Sequence, residues 1–105
     1  MTDKMPTRDR IAIPSTEEAE EIAVRALGWM VSEPDLFNRF LALSGLDASS
    51  IRQASTEPGF HAGITGFLMS HEPTLLAFCA HAELKAEYVA ACHYKLNGPD
   101  GDAWL

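Results

Sequence analysis

The stretch that decides the fold is EPDLFNRFLALSGLDASSIRQASTEPG, residues 33–59. Pro34 suits the first turn of a helix, because its missing amide hydrogen would be unpaired there in any case. Gly45 suits the left-handed position that ends a helix, and Asp47 can accept hydrogen bonds from the first amides of the next helix. The triplet at 57–59 is typical of a turn. The stretch therefore predicts two consecutive helices bounded by turns.

Further signals for helices lie on both sides of this stretch. Ser15 and Glu18 match a capping box at the start of a helix, and the segment 75–82 is apolar without a formal charge, which predicts a helix enclosed by the others. No stretch alternates with the period of a strand. The sequence predicts an all-α bundle of about six short helices at 16–32, 34–44, 48–55, 59–71, 73–82 and 86–97. It also predicts a flexible arm at 1–14, a single helical domain at 15–98 and a flexible tail at 99–105.

The chain also shows weak self-similarity at an offset of 38 residues. Placing residues 22–57 on 60–95 aligns Gly28 with Gly66 and Phe40 with Phe78. This register predicts two pseudo-repeated three-helix halves that pack together to bury their apolar faces.

Apolar stripes at helical spacing predict the core, and two glycines within one helix suggest close helix packing. The glycines are Gly63 and Gly66, which are tolerated inside a helix where another backbone approaches closely. The predicted core residues are Ile22, Ala26, Leu27, Met30, Phe37, Phe40, Leu41, Ile51, Phe60, Ile64, Phe67, Leu75, Phe78, Cys79, Val89 and Cys92.

The net charge of the chain argues against some classes of binding partner. The net charge is −7 over 105 residues, and such a surface repels phosphate backbones and anionic lipid. Cys79 and Cys92 lie in apolar helical stretches and follow no secretion signal, so reduced buried thiols in the cytoplasm are expected. No segment reaches the length of a membrane span.

Several positions together resemble a known family. They are Trp29, Pro34, Leu36, Phe40-Leu41, Gly45-Leu46, Arg52, Pro58-Gly59-Phe60, Phe67-Leu68, Glu72, Leu75-Leu76 and Phe78. Over residues 20–97 the chain resembles a family of short uncharacterised alphaproteobacterial proteins, classed as a domain of unknown function. The resemblance implies a small cytoplasmic helical protein and implies no activity, cofactor or site residue. Lys85 departs from the small residue or proline expected at its position.

Two specific chemistries remain as alternatives. Residues 36–55 are similar to a helix-turn-helix, and the second helix has side chains that could contact DNA, namely those of Ser49, Ser50, Arg52 and Gln53. Metal binding would use the cysteines with the four histidines, although neither Cys79 and His81 nor Cys92 and His93 can chelate from one regular helix. The full set of candidate ligands is His61, His71, His81, His93, Cys79 and Cys92.

No arrangement of catalytic residues is recognisable, so the sequence predicts neither an enzyme nor a cofactor. The leading prediction is a module that binds a protein, with a second copy of the chain as one candidate partner. Trp29, Arg39 and Arg52 are the predicted partner-binding residues, because aromatic and arginine side chains anchor protein interfaces.

Overall fold

A computed structural model describes residues 13–97, and within that range every regular element is helical. One turn of 3-10 helix, Ala48–Ser50, leads directly into the third α-helix. The helices are α1 (Thr16–Val31), α2 (Pro34–Ser44), α3 (Ile51–Ala54), α4 (Phe60–Met69), α5 (Glu72–Ala82) and α6 (Ala86–Asn97). The predicted all-α fold and its six helices are confirmed.

The predicted N-terminal arm and C-terminal tail lie largely outside this range. The tail at 99–105 lies outside the described residues, as does the arm at 1–14 apart from Ile13 and Pro14. Pro14 is fully buried beside the start of α1, whereas Ile13 is exposed. None of the helices between residues 13 and 97 is both long and apolar enough to cross a membrane.

Local caps fix where the helices begin and end. The Glu18 amide donates to Ser15 Oγ at 3.0 Å, and the Ser15 amide donates to Glu18 Oε1 at 2.9 Å. This is the predicted capping box of α1, and each bond pairs an amide that the helix itself leaves free. Gly45 ends α2 with φ at 78°, and its amide donates to the Leu41 carbonyl at 3.0 Å.

Three helices, α1, α4 and α6, pack against one another and form the centre of the molecule. The helix α2 packs on α1, while α5 packs on α4 and α6. Most of the predicted core is buried, and burial of each large apolar side chain contributes roughly 1.5–3 kcal/mol. The buried predicted residues are Ile22, Ala26, Met30, Phe40, Phe60, Ile64, Phe67, Leu75, Phe78, Cys79, Val89 and Cys92, and the partly buried ones are Leu27, Phe37, Leu41 and Ile51.

The expectation that the fifth helix lies at the centre is wrong. In α5, Leu76 is 49% exposed, and Ala77, Ala80 and His81 are also exposed. Three of the seven apolar residues between 75 and 82 are alanines, and two of them, Ala77 and Ala80, lie on the exposed side, where so small an apolar side chain remains at little cost. The most enclosed helix is α4, in which six of the ten residues are buried.

The structure does not show the predicted pseudo-repeat of two three-helix halves. The helices α2 and α5 do span equivalent positions at the offset of 38 residues, and each ends in a left-handed residue, Gly45 and Glu83. The third elements differ, because α3 is a single turn whereas α6 is a 12-residue helix packed on α1 and α4. The equivalence of the two halves therefore stops after their second helices.

Candidate functional site

An apolar groove lies between α2, α3 and α4 and has a volume of about 520 Å³. The C-terminal half of α2 forms one wall, and Phe60, Gly63 and Phe67 of α4 form the other. The turn that precedes α4 closes one end. The residues that line it are Phe40, Leu43, Ser44, Leu46, Ala54, Glu57, Gly59, Phe60, Gly63, Phe67 and Ser70.

Two left-handed glycines shape this groove. Gly45, at φ 78°, reverses the chain after α2 and leads to Leu46, which lines the groove. Gly59, at φ 88°, starts α4 and brings Phe60 into the lining. Residues with a side chain rarely adopt these backbone angles, so glycine is favoured at both turns. At the base, the rings of Phe40 and Phe67 meet edge to face, with centroids 5.4 Å apart.

The groove remains open because no other residue fills the space beside one of the two glycines in α4. A Cβ placed on Gly63 would have nothing within 4 Å, whereas one placed on Gly66 would lie 3.3 Å from His93 Cε1. The predicted close approach of another backbone is therefore wrong for both glycines, because the neighbour at Gly66 is the side chain of His93 in α6 and Gly63 faces open space. On the rim, Leu43 is 70% exposed. The absence of a side chain at Gly63 thus leaves part of the groove unfilled.

The polar groups in the groove are largely paired within the fold. Ser70 Oγ donates to the Phe67 carbonyl at 2.8 Å, and Ser44 Oγ donates to the Leu41 carbonyl at 3.3 Å. Glu57 is the one formally charged side chain among the described residues that line the groove. The surface is thus suited to apolar side chains of a ligand, with a carboxylate at one edge.

A second cleft, of about 490 Å³, lies where α1, α2 and α5 meet and contains two of the predicted partner-binding residues. Trp29 and Arg39 line it together with His71 and Thr74. The Thr74 hydroxyl donates to His71 Nδ1 at 2.8 Å, and Arg39 Nη1 lies 3.5 Å from the same nitrogen. An arginine nitrogen can only donate, so Nδ1 is the acceptor and the ring proton lies on Nε2.

The predicted set of Trp29, Arg39 and Arg52 is not a single patch. Arg52 is exposed on α3 and does not line the cleft that contains the other two. Trp29 is half-buried, with its ring centroid 5.5 Å from that of Phe78 and 6.1 Å from that of His81. The structure therefore brings Trp29 and Arg39 together and separates Arg52, because the chain turns at Gly45 between α2 and α3.

The four histidines lie in different surroundings. His61 packs beside Phe60, His71 precedes α5, and His81 stacks on Trp29. His93 lies between α4 and α6. Across residues 13–97, no three side chains among His, Cys, Asp and Glu come together in a way that could hold a metal ion.

His93 forms a polar chain across the α4–α6 contact. Asn97 Nδ2 donates to His93 Nε2 at 3.1 Å, so the ring proton lies on Nδ1, which donates to Thr65 Oγ1 at 2.7 Å. The Thr65 hydroxyl then donates to the Ala62 carbonyl at 3.2 Å. Burial lowers the pKa of His93, which favours the neutral ring that this chain requires.

The two thiols are buried and free. Burial raises the pKa of Cys79, and it raises the pKa of Cys92 to about 11. Both sulfurs are therefore protonated at neutral pH, and a protonated thiol is a poor nucleophile and metal ligand.

In the structure, the second helix of the predicted helix-turn-helix is short. The α-helical part, α3, has four residues, Ile51–Ala54, after the 3-10 turn. Ser49 Oγ donates to Asp47 Oδ1 at 2.7 Å, so this hydroxyl already has a partner within the fold. Arg52 and Gln53 are exposed. DNA binding through 36–55 stays a prediction.

These features define a small all-α bundle with an open apolar groove on one side of its α4 helix. Comparison with protein families gives a match over residues 16–99 to the family described as Protein of unknown function (DUF3572). The chain belongs to this family, which confirms the predicted resemblance to a domain of unknown function. Searches of curated proteins and of solved structures give no significant match.

Proposed function

We propose that the chain is a non-enzymatic protein-interaction module of the alphaproteobacterial cytoplasm, and that its apolar groove binds a segment of another protein. The observation that supports this function is the groove itself, in which the exposed Leu43 and the partly buried Leu46 leave apolar surface uncovered above the buried rings of Phe40 and Phe67. Amphipathic helices commonly bind proteins by placing an apolar face in a groove of this kind.

The charge of the module indicates the chemistry of the partner. Between residues 15 and 97 there are five basic and eleven acidic side chains, and Glu57 lies at the edge of the groove. A partner segment with apolar side chains and a basic flank complements both features. A second copy of the same acidic chain would be repelled, so a different protein is the favoured occupant.

The cleft that contains Trp29 and Arg39 is a secondary surface. The helix α2 contributes Arg39 to this cleft and Phe40 to the groove, so a partner that lies across α2 contacts both. The contribution of Arg52 is a separate proposal, since it lies outside both linings.

The experiment uses two matched glycine substitutions as baits for capture from lysate of the native cell. Gly63→Leu fills the groove, and Gly28→Leu adds the same side chain on α1, away from the groove. Neither position has an atom within 4 Å of an added Cβ, and both changes improve helix propensity.

We expect the wild type and Gly28→Leu to retain a common protein that Gly63→Leu loses. Binding of that protein, once purified, should weaken by about tenfold or more in Gly63→Leu, which corresponds to about 1.4 kcal/mol per factor of ten. Equal retention by all three baits would refute the groove as the binding site. A nucleic acid retained in a salt-sensitive manner would favour the helix-turn-helix alternative instead.

A further inference from the structure

The N-terminal side of the described chain lies beside the apolar groove. A shallow cleft of about 310 Å³ is lined by Thr16 and Glu20 of α1 and by the turn at 55–59. Two residues of that turn, Glu57 and Gly59, also line the groove. Residue 13 is three positions before Thr16, so the preceding residues connect to the fold close to the groove.

Residues 1–12, which we call the N-terminal segment, have the chemistry that the groove complements. The segment contains Lys4, Arg8 and Arg10 against two aspartates, while the fold from 15 to 97 is strongly acidic. Met5 and Ile11 supply apolar side chains, and methionine adapts well to irregular apolar surfaces. Residues 98–105 instead contain two aspartates, which have the same sign as Glu57.

The length of the N-terminal segment is sufficient for it to reach the groove. Twelve extended residues span at most about 40 Å, whereas the connection from Thr16 to the groove crosses a single turn of chain at 55–59. The segment is therefore long enough to reach Glu57 and the apolar lining beyond it.

We infer that the N-terminal segment occupies the apolar groove of its own chain and competes there with the partner segment. Met5 and Ile11 pack on the apolar lining, and the arginines face Glu57. The inference rests on the proposed function in one respect, since competition requires that a partner uses the same groove. Binding of the segment to the groove can be tested without any partner.

The test places a nitroxide spin label on the segment of the full chain and records amide signals by NMR. Met5→Cys introduces the only thiol intended to react, because Cys79 and Cys92 are buried and their pKa values are raised. We expect amides at the groove, including Leu43, Gly63 and Phe67, to lose intensity.

Two variants and one control locate the cause of that loss. Gly63→Leu should restore the groove signals by filling the groove, and the double variant Arg8→Glu with Arg10→Glu should restore them by reversing the charge. Gly28→Leu should leave the loss unchanged. Intensity loss confined to the start of α1, with the groove signals intact, would overturn the inference.

Other occupants give different results, each of which would also overturn it. A label introduced by Ala103→Cys that affects the groove when the Met5 label does not would assign the groove to residues 98–105. Broadening that appears only in mixed samples, with label and isotope on different molecules, would assign it to a second copy.

Different results would refute the proposed function and this inference. Removal of residues 1–10 should strengthen binding of the captured partner if the segment competes with it. A partner lost by Gly63→Leu together with intact groove signals would support the function and refute the inference. Groove broadening without any captured partner would do the reverse.

Discussion

Phe78 is the largest of the four buried side chains of the outer helix α5. Its side chain is 0% exposed and its ring lies against Trp29. We expect Phe78→Ala to lower the free energy of unfolding by about 3–5 kcal/mol, because the substitution leaves a cavity that the surroundings fill only in part. Urea denaturation measures this loss.

Leu43→Ala is the matched control for this experiment, because Leu43 lies on the rim of the groove. We expect a change within about 0.5 kcal/mol for such an exposed position. A loss below about 1 kcal/mol in Phe78→Ala would contradict the placement of this ring in the core.

His93 gives the molecule a pH dependence whose sign follows from its burial. The unfolded chain binds a proton at this position near pH 6.5, whereas burial lowers the pKa in the folded chain. Between those two values the unfolded state holds more protons, so the free energy of unfolding rises with pH. The contribution of His93 is therefore complete above the unfolded pKa and is lost as pH falls through it.

The comparison that isolates this contribution is His93→Gln, which keeps a side-chain amide near Thr65 and Asn97 without an imidazole. Its stability should fall less than that of the wild type between about pH 7.5 and about pH 5.5, a range that spans the ordinary histidine pKa. The other three histidines are common to both proteins. Equal losses in the two proteins, measured by thermal or urea denaturation, would contradict the assignment.

At the scale of the helices, the ends of α2 and α5 show the same backbone geometry with different residues. Gly45 ends α2 at φ 78°, and Glu83 ends α5 at φ 60°. A side chain at such an angle costs roughly 1–2 kcal/mol. We expect Gly45→Ala to destabilise the fold by about this amount and Glu83→Gly to stabilise it by up to about 1 kcal/mol. Changes of the same sign in both variants would show that the two ends are not equivalent.

The helix ends could be predicted from the sequence because caps act locally. Pro34, Gly45 and the Ser15 capping box each impose a start or an end through bonds within a few residues. The groove could not be predicted in this way. Gly63 and Gly66 are three positions apart in one helix, yet one faces open space and the other faces His93. Only the placement of α6 distinguishes them.

The predicted partner-binding residues show the same limit. Trp29 and Arg39 line one cleft because α1, α2 and α5 converge there, and the position of α5 depends on contacts distant in sequence. The central position expected for α5 failed for a related reason, since a high alanine content does not distinguish an enclosed helix from an outer one. Enclosure is set by how the neighbouring helices cover a helix, and for α4 they bury six of its ten residues.

For the whole molecule, the three central helices form a stable base and the groove is an opening at its edge. The core of α1, α4 and α6 does not require the groove to be filled, since the base of the groove is already closed by Phe40 and Phe67. The excess of acidic over basic side chains between residues 15 and 97 favours a basic partner segment over a second acidic copy. Binding at the groove can therefore occur with little change in the fold.

The central claim is that a protein partner binds in the apolar groove, and an NMR titration tests it most directly. Full-length labelled protein would be titrated with the segment of the captured partner while backbone amide signals are recorded. We predict shifts concentrated at Leu43, Leu46, Gly63 and Phe67, with little change along α6. Shifts centred instead on Trp29 and Arg39, or on the exposed residues of α3, would contradict the claim.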